Sequence, residues 1–282
     1  MHKIFNRIRD LLCHMGLHIS KCLTIKRLVH TSKEYNQLSS NLSFLKYIKE
    51  DKLKESLTVI ESLKSQIQQD LFVLLIHNFK KNGYFVDFGG TNGVYMNNSW
   101  ILEKNFGWKG IVAEPARVWH RTLLKNRLCH ISKKCVWKES GKSIVFNETK
   151  EGGYSTIDSY SFSDNHAKLR KNGKQYTVET ISLNDLLALY SAPHTIDYLS
   201  IDTEGSEYDI LVDFNFNKWN IAVITVEHNY TDKREQLKVL LESKGFIRVL
   251  SSISQFDDWY IKPNLLQNFN NTFISKVKEN IL

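Results

Sequence analysis

Short apolar runs alternate with helical patterns along most of the chain after Gly83, and this alternation constrains the fold more than any other feature. The spacing predicts strands at 84–88, 110–114, 129–136, 143–147, 176–181, 196–202, 220–227, 245–250 and 257–262. It predicts helices at 94–105, 116–127, 183–190, 206–213 and 232–243. Several strands are continuously apolar, as parallel strands buried on both faces are: 110–114, 196–202 and 220–227. The sequence therefore predicts a doubly wound α/β sheet whose ligand binds beyond the carboxyl ends of the strands.

The first 80 residues precede this alternation and are interpreted as a basic helical extension. Residues 1–35 contain seven Lys or Arg and two Asp or Glu, so they carry +5 of the chain's net charge of +8. Their apolar positions fall on one helical face, which predicts peripheral contact with an anionic membrane or a partner protein. Packing on the chain's own domain and assembly into a homo-oligomer stay open. The rest of the chain is nearly neutral, so no nucleic-acid partner is expected.

Histidine and cysteine residues of this arm, His14, His18 and Cys22, share one helical face and could bind zinc. Structural zinc normally needs four ligands in paired spacings, so a polar helix edge is the favoured interpretation. The chain's four cysteines form no CxxC pair, which favours a reducing compartment. The longest apolar run, Leu71–Ile76, has six residues and is too short to cross a bilayer. These features predict a cytoplasmic protein that is at most peripheral to a membrane.

Further helical signals set the expected domain boundaries. A helical pattern runs from Leu53 to Leu74 and is expected to end near Asn82-Gly83. The sheet domain is therefore assigned to 81–265, and 266–282 is assigned to a C-terminal tail. Ser182 and Asp185 predict a capping box at the start of the helix at 183–190.

Glycines follow the first predicted strand, in the run Asp87-Phe88-Gly89-Gly90-Thr91-Asn92-Gly93. Such a turn lets backbone approach a ligand closely, and the next helix supplies free N–H groups. Phe88 stands at the first glycine of the G-x-G-x-x-G fingerprint, which disfavours a nicotinamide oxidoreductase. The second strand ends at Glu114, 21 residues after Gly93, where an acid can bind both hydroxyls of a nucleoside ribose. The pattern favours a ligand of the adenosine type.

Acidic residues follow two later strands, in the runs Asp202-Thr203-Glu204-Gly205-Ser206-Glu207 and Glu227-His228-Asn229. Carboxylates at the ends of buried strands are costly unless they bind something. Because neighbouring parallel strands end at one edge of a sheet, we expect Asp202 and Glu227 in the same crevice. For Glu204 and Glu207, a favourable place near the next helix N-terminus is an alternative explanation.

Together these segments resemble the FkbM-type S-adenosylmethionine-dependent methyltransferases: FVDFGGTNG, IVAEP and YLSIDTEGSEYDIL. The resemblance covers roughly residues 80–250. Its most specific part is a D-x-E-G-x-E stretch, matched by Asp202, Glu204, Gly205 and Glu207. The family's first motif usually reads V-D-x-G-A-N, from which Gly90 and Thr91 depart.

The resemblance implies a Rossmann-like sheet of seven strands, the last of them antiparallel, that binds S-adenosylmethionine. Asp87, Gly89 and Gly93 would frame the methionine part, Glu114 would hold the ribose, and the segment around Cys135 and Val136 would border the adenine. The cofactor residues expected on this basis are Asp87, Gly89, Thr91, Asn92, Gly93, Glu114, Cys135, Val136 and Asp202. Family members mostly methylate hydroxyl groups of sugars, glycans or natural products. The expected activity is therefore O-methyl transfer to a hydroxyl group of a sugar, glycan or glycosylated natural product, free or linked to a carrier.

Methyl transfer to a sugar hydroxyl requires alignment of oxygen, methyl and sulfur, and removal of the acceptor proton. Two interpretations of Asp202, Glu227 and His228 stay open. In one, His228 is the general base, because the unperturbed pKa of histidine lies near 6.5. In the other, the three residues hold Mg²⁺ or Mn²⁺, an arrangement that resembles the metal position of catechol and macrolide-sugar O-methyltransferases.

A polar stretch at 150–180 is expected to form a lid over the acceptor, with Tyr154 and Ser155 near the ligand. Methyltransferases that act on the amino groups of bases commonly carry N/D-P-P-Y after the fourth strand, and cytosine C5 enzymes need a Pro-Cys pair. The chain has neither motif. The alternative function is a catalytically silent Rossmann-like module that docks through the basic arm.

Overall fold

A computed structural model of the protein describes residues 43–150 and 152–278. The basic arm at 1–35, including the candidate zinc ligands His14, His18 and Cys22, lies outside the described residues. Within the described ranges, no helix has the length and apolar character needed to cross a membrane.

Helices and strands alternate along the described chain. The helices are α1 (Glu50–Val59), α2 (Gln69–Ile76), α3 (Trp100–Phe106), α4 (Arg117–Asn126), α5 (Ala167–Arg170), α6 (Leu183–Leu189), α7 (Glu207–Leu211), α8 (Lys233–Ser243) and α9 (Asn271–Lys278). The strands are β1 (Tyr84–Phe88), β2 (Lys109–Ala113), β3 (His130–Ser132), β4 (Cys135–Trp137), β5 (Ser143–Glu148), β6 (Thr156–Ile157), β7 (Lys174–Ser182), β8 (Thr195–Ile201), β9 (Asn220–Glu227), β10 (Ile247–Val249) and β11 (Asp257–Ile261). Short 3₁₀ turns lie at Ile60–Ser62, Asp158–Tyr160 and Pro263–Asn268.

The main sheet has seven strands in the order β10-β11-β9-β8-β1-β2-β3. Pairing is parallel from β9 through β8, β1 and β2 to β3. The last strand, β11, is antiparallel to both β9 and β10. The predicted α/β class, with a mostly parallel seven-stranded sheet and an antiparallel last strand, is confirmed.

Alternate strand residues face two apolar layers. Phe85 of β1 packs in the layer that contains α2 and α9, whereas its neighbour Val86 packs in the layer that contains α6, α7 and α8. This two-sided burial explains why the central strands are continuously apolar. Ser182 Oγ accepts a hydrogen bond from Asp185 N at 3.1 Å, which confirms the N-terminal cap. The reciprocal bond of the predicted capping box is replaced, because Ser182 N donates to Ser140 Oγ at 2.8 Å.

An aromatic cluster joins distant parts of the chain on the first of these faces. The Trp259 ring of β11 stacks on Phe72 of α2 at 4.6 Å and meets Phe44 edge-on at 6.0 Å. Phe269 lies 6.4 Å from Phe72 and 4.1 Å from Phe273 of α9. The described part of the expected N-terminal extension and of the expected C-terminal tail therefore share one core with the sheet.

The strand predicted at 129–136 is two strands in different sheets. β3 pairs with β2 in the main sheet, whereas β4 pairs with β7 in a second sheet of order β4-β7-β5-β6. The polar pair Lys133 and Lys134 interrupts the apolar run, and Lys134 N donates to Ser132 Oγ at 3.3 Å in the turn between the strands. The second sheet contains much of the stretch predicted as a lid.

Two predicted helices differ from the observed ones: one begins later than predicted and the other is divided into two. In both places side chains bind nearby backbone groups. The helix predicted from residue 94 begins only at Trp100, since Asn92 Oδ1 accepts from Val94 N and Tyr95 N in a turn. The pattern at 53–74 is divided into α1 and α2. Between them, the buried Asp70 carboxylate accepts from Lys64 N at 2.8 Å.

Candidate functional site

A cavity of about 410 Å³ lies at the carboxyl ends of β1, β2, β8 and β9. Its lining includes the predicted residues Gly89, Thr91, Glu114, Asp202 and Glu227. Its volume falls in the range of ~300–1,000 Å³ that is usual for small-ligand sites. The location is the one expected of an open parallel sheet. The second sheet adds an apolar wall from Cys135, Val136, Phe146 and Ile157.

Backbone of two neighbouring strands comes together at one side of the cavity. Gly89 has φ +78°, and a β-carbon there would lie 2.1 Å from the Asp202 carbonyl oxygen. Gly89 N donates to Ala113 O at 3.1 Å, which also ties the turn to β2. Glycine is required at this position both by the left-handed backbone and by the close approach.

Asp87 is buried away from the cavity. Its Oδ2 accepts from Ser99 Oγ at 2.6 Å and from Asn97 Nδ2 at 3.0 Å, and burial raises its pKa. Arg127 supports the same network, with Nη1 donating to Asn97 Oδ1 at 2.8 Å. Asp87 is not among the lining residues, so it shapes the loop that leads to α3.

Of the turn residues named from sequence, Asn92 and Gly93 also fall outside the lining. Asn92 Oδ1 caps the following turn, and a β-carbon on Gly93 would lie 2.6 Å from Arg127 Cγ. Thr91 lines the cavity, and its backbone N–H is turned to Glu114. The turn thus divides into residues that face the cavity and residues that hold its shape.

Glu114 is buried at the end of β2 and lines the cavity. Its Oε2 accepts from Thr91 N at 2.9 Å and its Oε1 accepts from Ala116 N at 2.8 Å. Burial raises the pKa of Glu114 to about 8. The carboxyl group is therefore fixed in orientation while it borders the space between the glycine turn and the apolar wall.

The apolar wall includes the predicted pair Cys135 and Val136 and also Trp119 of α4. Burial raises the pKa of the Cys135 thiol to about 12, so the thiol is neutral and acts as a small apolar group. The indole Nε1 of Trp119 is buried and has no hydrogen-bond partner among the described residues. Trp119 was not predicted, because its helical spacing alone does not tell a cavity residue from a packed one.

Carboxylates meet at the opposite end of the cavity. Ligand oxygens of Asp202, Glu204 and Glu227 lie within 4.8 Å of one another. Burial and repulsion from neighbouring carboxylates raise the pKa of Asp202 and of Glu227 well above their usual values. Glu227 Oε2 is buried and has no hydrogen-bond partner among the described residues. The two acids predicted to share a crevice do so.

The third predicted member of this cluster, His228, faces elsewhere. Its buried Nε2 lies 3.9 Å from Asp258 Oδ1, and its Nδ1 accepts from Tyr230 N at 3.0 Å. Burial lowers its pKa, and it is absent from the cavity lining. The sequence allowed His228 to face the ligand beside Glu227 only if the strand ended at Glu227. β9 does end at Glu227, yet His228 still lies on the opposite side, as consecutive residues of an extended chain do.

Glu204 is paired with Arg170, which belongs to the polar stretch predicted as a lid. The buried Arg170 donates from Nη2 to Glu204 Oε2 at 2.6 Å and from Nη1 to Asp164 Oδ1 at 2.7 Å. The same oxygen of Glu204 lies 3.3 Å from His166 Nδ1. His166 lines the cavity together with the predicted lid residues Tyr154 and Ser155.

Glu207 organises the turn that carries Asp202. Its Oε1 accepts from Thr203 N at 3.0 Å and from Gly205 N at 2.9 Å. Glu204 and Gly205 both have positive φ, at 60° and 117°. The last acid of the D-x-E-G-x-E stretch thus holds a strained turn in shape.

The sheet order and the cavity define a Rossmann-like protein of the methyltransferase class, and comparison with known proteins agrees. The sequence pattern of the Methyltransferase FkbM domain matches residues 87–260, and the chain belongs to that family. It is 25% identical over 191 residues to Methyltransferase 1 of Beauveria bassiana, covering 60% of this chain and 74% of the relative. A precorrin-6y C5,15-methyltransferase from Geobacter metallireducens GS-15 overlaps 71% of this chain and 93% of its own, with a TM-score of 0.35 and 9% identity.

Membership of this family implies that S-adenosylmethionine is the methyl donor. The residues present fit such a donor. The turn at Gly89 leaves room for a ligand against backbone, and Glu114 offers a fixed carboxyl group at the end of the second strand.

Proposed function

We propose that this methyltransferase transfers the methyl group of S-adenosylmethionine to a hydroxyl group of a sugar or glycan. The observation that carries the proposal is the position of Asp202 and Glu227, which line the same cavity as the glycine turn. A donor bound along the turn would share the cavity with these carboxylates. Oxygen ligands of this kind can hold a cation beside an alcohol acceptor, which must lose its proton during transfer.

At the donor end, the turn from Gly89 to Thr91 and the carboxyl group of Glu114 are the proposed contacts. Glu114 would bind the ribose hydroxyls, as acids at the end of the second strand do in nucleoside-binding sheets. Cys135 and Val136 would lie against the adenine, since their wall is apolar. When bound, the donor supplies an activated methyl group on a sulfonium, and the protein holds it in line with the acceptor.

At the acceptor end, two tyrosines favour the proposal of a sugar or glycan acceptor rather than a small apolar one. Tyr95 and Tyr230 line the cavity while 56% and 66% exposed, respectively. Exposed rings can cover the apolar face of a sugar, and their hydroxyl groups can bind its polar edge. The mouth of the cavity is thus aromatic and its floor is acidic.

A divalent cation is a further part of the proposal, and the donor set fits Mg²⁺ or Mn²⁺. Asp202 and Glu227 supply hard oxygen ligands, and Glu227 Oε2 has no partner among the described residues. Glu204 is already paired with Arg170, and His228 faces Asp258, so neither is proposed as a ligand. A cation bound there would lower the pKa of an acceptor hydroxyl.

The activity is tested with the full chain in two measurements. Calorimetry with S-adenosylmethionine and S-adenosylhomocysteine should show binding to one site. Radiolabelled donor should then label the hydroxyl groups of a panel of methyl glycosides in the presence of MgCl₂. Binding without label on any panel member would overturn the sugar acceptor, and absence of binding would overturn the whole proposal.

The cation is tested separately by adding EDTA and then excess MgCl₂ to the same assay. We expect the label to be lost and then restored. In a thermal unfolding series without donor, MgCl₂ should stabilise the wild type and leave the double variant Asp202→Asn, Glu227→Gln unchanged. A full rate in EDTA would overturn the cation and leave O-methyl transfer standing.

A further inference from the structure

We propose that His166 is the base that accepts the proton of the acceptor hydroxyl, with Glu204 as its positioning residue. The inference rests on the proposed O-methyl transfer. It replaces His228, which the structure buries against Asp258. His166 was noted in the sequence only as part of a polar lid.

Position and exposure of His166 suit this role. Its side chain is 32% exposed and lines the cavity that also contains Asp202 and Glu227. His166 Nδ1 lies 3.3 Å from Glu204 Oε2. If Nδ1 carries the proton and donates it to the carboxylate, Nε2 keeps its lone pair. In that tautomer Nδ1 holds the ring in place through its bond to Glu204, and Nε2 is able to accept a proton.

A buried framework fixes the segment that carries His166. Arg170 donates to Asp164 with two nitrogens, at 2.7 and 3.0 Å, and to Glu204 at 2.6 Å. Its Nε donates to Tyr154 O at 2.8 Å. The Tyr154 ring lies 4.6 Å from the His166 ring, centroid to centroid. Because Arg170 is buried and bonded to both segments, His166 is held against the turn after β8 that carries Glu204.

Charges around His166 strengthen it as a base. The hydrogen bond to Glu204 raises its pKa most, the charges of Glu204 and Asp164 raise it further, and partial burial and Arg170 lower it. The net direction is upward from the ordinary value. By contrast, burial lowers the pKa of His228. A base with a pKa near the working pH is the most effective, so the rate should rise with pH as His166 loses its proton.

The step balances as a displacement. The acceptor oxygen forms a bond to the methyl carbon while its O–H bond breaks and the proton passes to His166 Nε2. The electrons of the carbon–sulfur bond stay on sulfur, which becomes the neutral thioether of S-adenosylhomocysteine. The imidazolium is stabilised by Glu204 and returns its proton to water through the exposed side of the ring.

The decisive experiment compares His166→Ala with His194→Ala, a control whose exposed side chain lies at the amino end of β8. Methyl transfer from labelled donor to the methyl glycosides should fall about 10²- to 10⁴-fold in the first variant and stay at the wild-type level in the control. Affinity for S-adenosylhomocysteine should stay within about twofold in both. Added imidazole should restore part of the rate in proportion to its free-base form.

A second variant and a direct titration keep the test independent of folding. His166→Gln should lose transfer to a similar extent, with an unchanged unfolding temperature. Nuclear magnetic resonance of the ¹³C-labelled histidines should show that Glu204→Gln lowers the pKa of His166, because the variant removes the carboxylate that raises it. An unchanged pKa would overturn the pairing with Glu204.

The outcomes separate this inference from the activity that it assumes. Wild-type transfer with undiminished transfer by His166→Ala would overturn the base and leave O-methylation standing. Loss of transfer without rescue by imidazole or any change in pH profile would assign His166 a structural role and would also overturn the base. Absence of transfer by the wild type, with donor analogue bound, would overturn both.

Discussion

A β-carbon on Gly89 would lie 2.1 Å from the backbone oxygen of Asp202. The backbone of Gly89, on the proposed donor side of the cavity, therefore lies directly against the backbone of Asp202, on the proposed acceptor side. Gly89→Ala should therefore unfold more easily and bind S-adenosylhomocysteine more weakly, because the β-carbon would push the Asp202 turn away. Gly245→Ala is a matched control, since Gly245 has φ +77° and a β-carbon there would meet no atom within 4 Å beyond its chain neighbours.

Positive φ alone should cost Gly245→Ala about 1–2 kcal/mol of unfolding free energy. Gly89→Ala should lose roughly 1–3 kcal/mol more, which is typical of overpacking. Urea unfolding and calorimetry measure the two effects. Equal losses of stability in Gly89→Ala and Gly245→Ala, with unchanged binding of S-adenosylhomocysteine, would mean that the turn at Asp202 moves aside without cost.

Glu114→Gln should weaken donor binding. The amide keeps the size of the side chain, but it has one acceptor oxygen in place of two, whereas Thr91 N and Ala116 N use both oxygens of the carboxyl group. We expect a loss of about 1.5–3 kcal/mol in binding, or roughly tenfold to more than a hundredfold in Kd. Calorimetry with S-adenosylmethionine checks this, and the exposed Glu139→Gln serves as control. Wild-type affinity in Glu114→Gln would exclude a ribose contact.

Arg170→Met should destabilise the protein strongly. The change leaves the Asp164 and Glu204 carboxylates buried beside each other without their shared cation. Removal of one partner from a buried ion pair typically costs about 3–5 kcal/mol. Urea unfolding should show that loss, whereas the exposed Arg121→Met should change stability by less than about 0.5 kcal/mol. Adding Asp164→Asn and Glu204→Gln to Arg170→Met should recover part of the stability.

The contributions of Glu114 and Asp257 to stability should fall as pH rises above about 4, opposite in sign to ordinary acid unfolding. Burial raises the pKa of Glu114 to about 8 and that of Asp257 to about 7 in the folded chain. Above the unfolded pKa of each group, the unfolded chain releases a proton that the folded chain keeps, so unfolding becomes easier. This loss ends once pH passes the folded pKa, and each group contributes about 1.4 kcal/mol per pH unit within its window.

The contribution of Asp257 can be measured alone. In the wild type, Gln69 Nε2 donates to Asp257 Oδ2 at 2.9 Å. Asp257→Asn keeps an amide oxygen that can accept this bond. Its unfolding free energy should depend less on pH than that of the wild type between about 4 and 7, where Asp257 would otherwise contribute. The exposed Asp213→Asn is the control and should keep the wild-type pH dependence. Parallel curves for wild type and Asp257→Asn would contradict the raised pKa.

The location of Glu114, Asp202 and Glu227 at one edge of the sheet could be predicted from the sequence. Continuous apolar strands require parallel burial, and parallel neighbours end on the same side. The same reasoning failed for His228, because one residue past a strand end reverses the side on which a side chain lies. The family resemblance implied that Asp87 frames the donor, whereas in the structure Ser99 and Asn97 bind its carboxyl group away from the cavity.

His166 and Arg170 could not have been found from spacing. Their position depends on the sheet to which β5 and β7 belong. An alternating apolar pattern predicts a strand, but it does not identify the strand with which it pairs or the sheet that it joins. The ion pairs of Arg170 span up to 34 residues of sequence, and no local pattern encodes them. Residues that approach the cavity from the second sheet therefore required the structure.

The aromatic cluster around Trp259 has a practical consequence for producing the protein. The family match ends at residue 260, yet Phe44, Phe72 and Phe269, which surround this ring and its neighbours, all lie outside residues 87–260. A polypeptide cut to the matched segment would expose a large apolar patch on one face of its sheet, and such patches drive aggregation. Soluble expression is therefore expected to need the flanking segments that carry Phe44, Phe72 and Phe269.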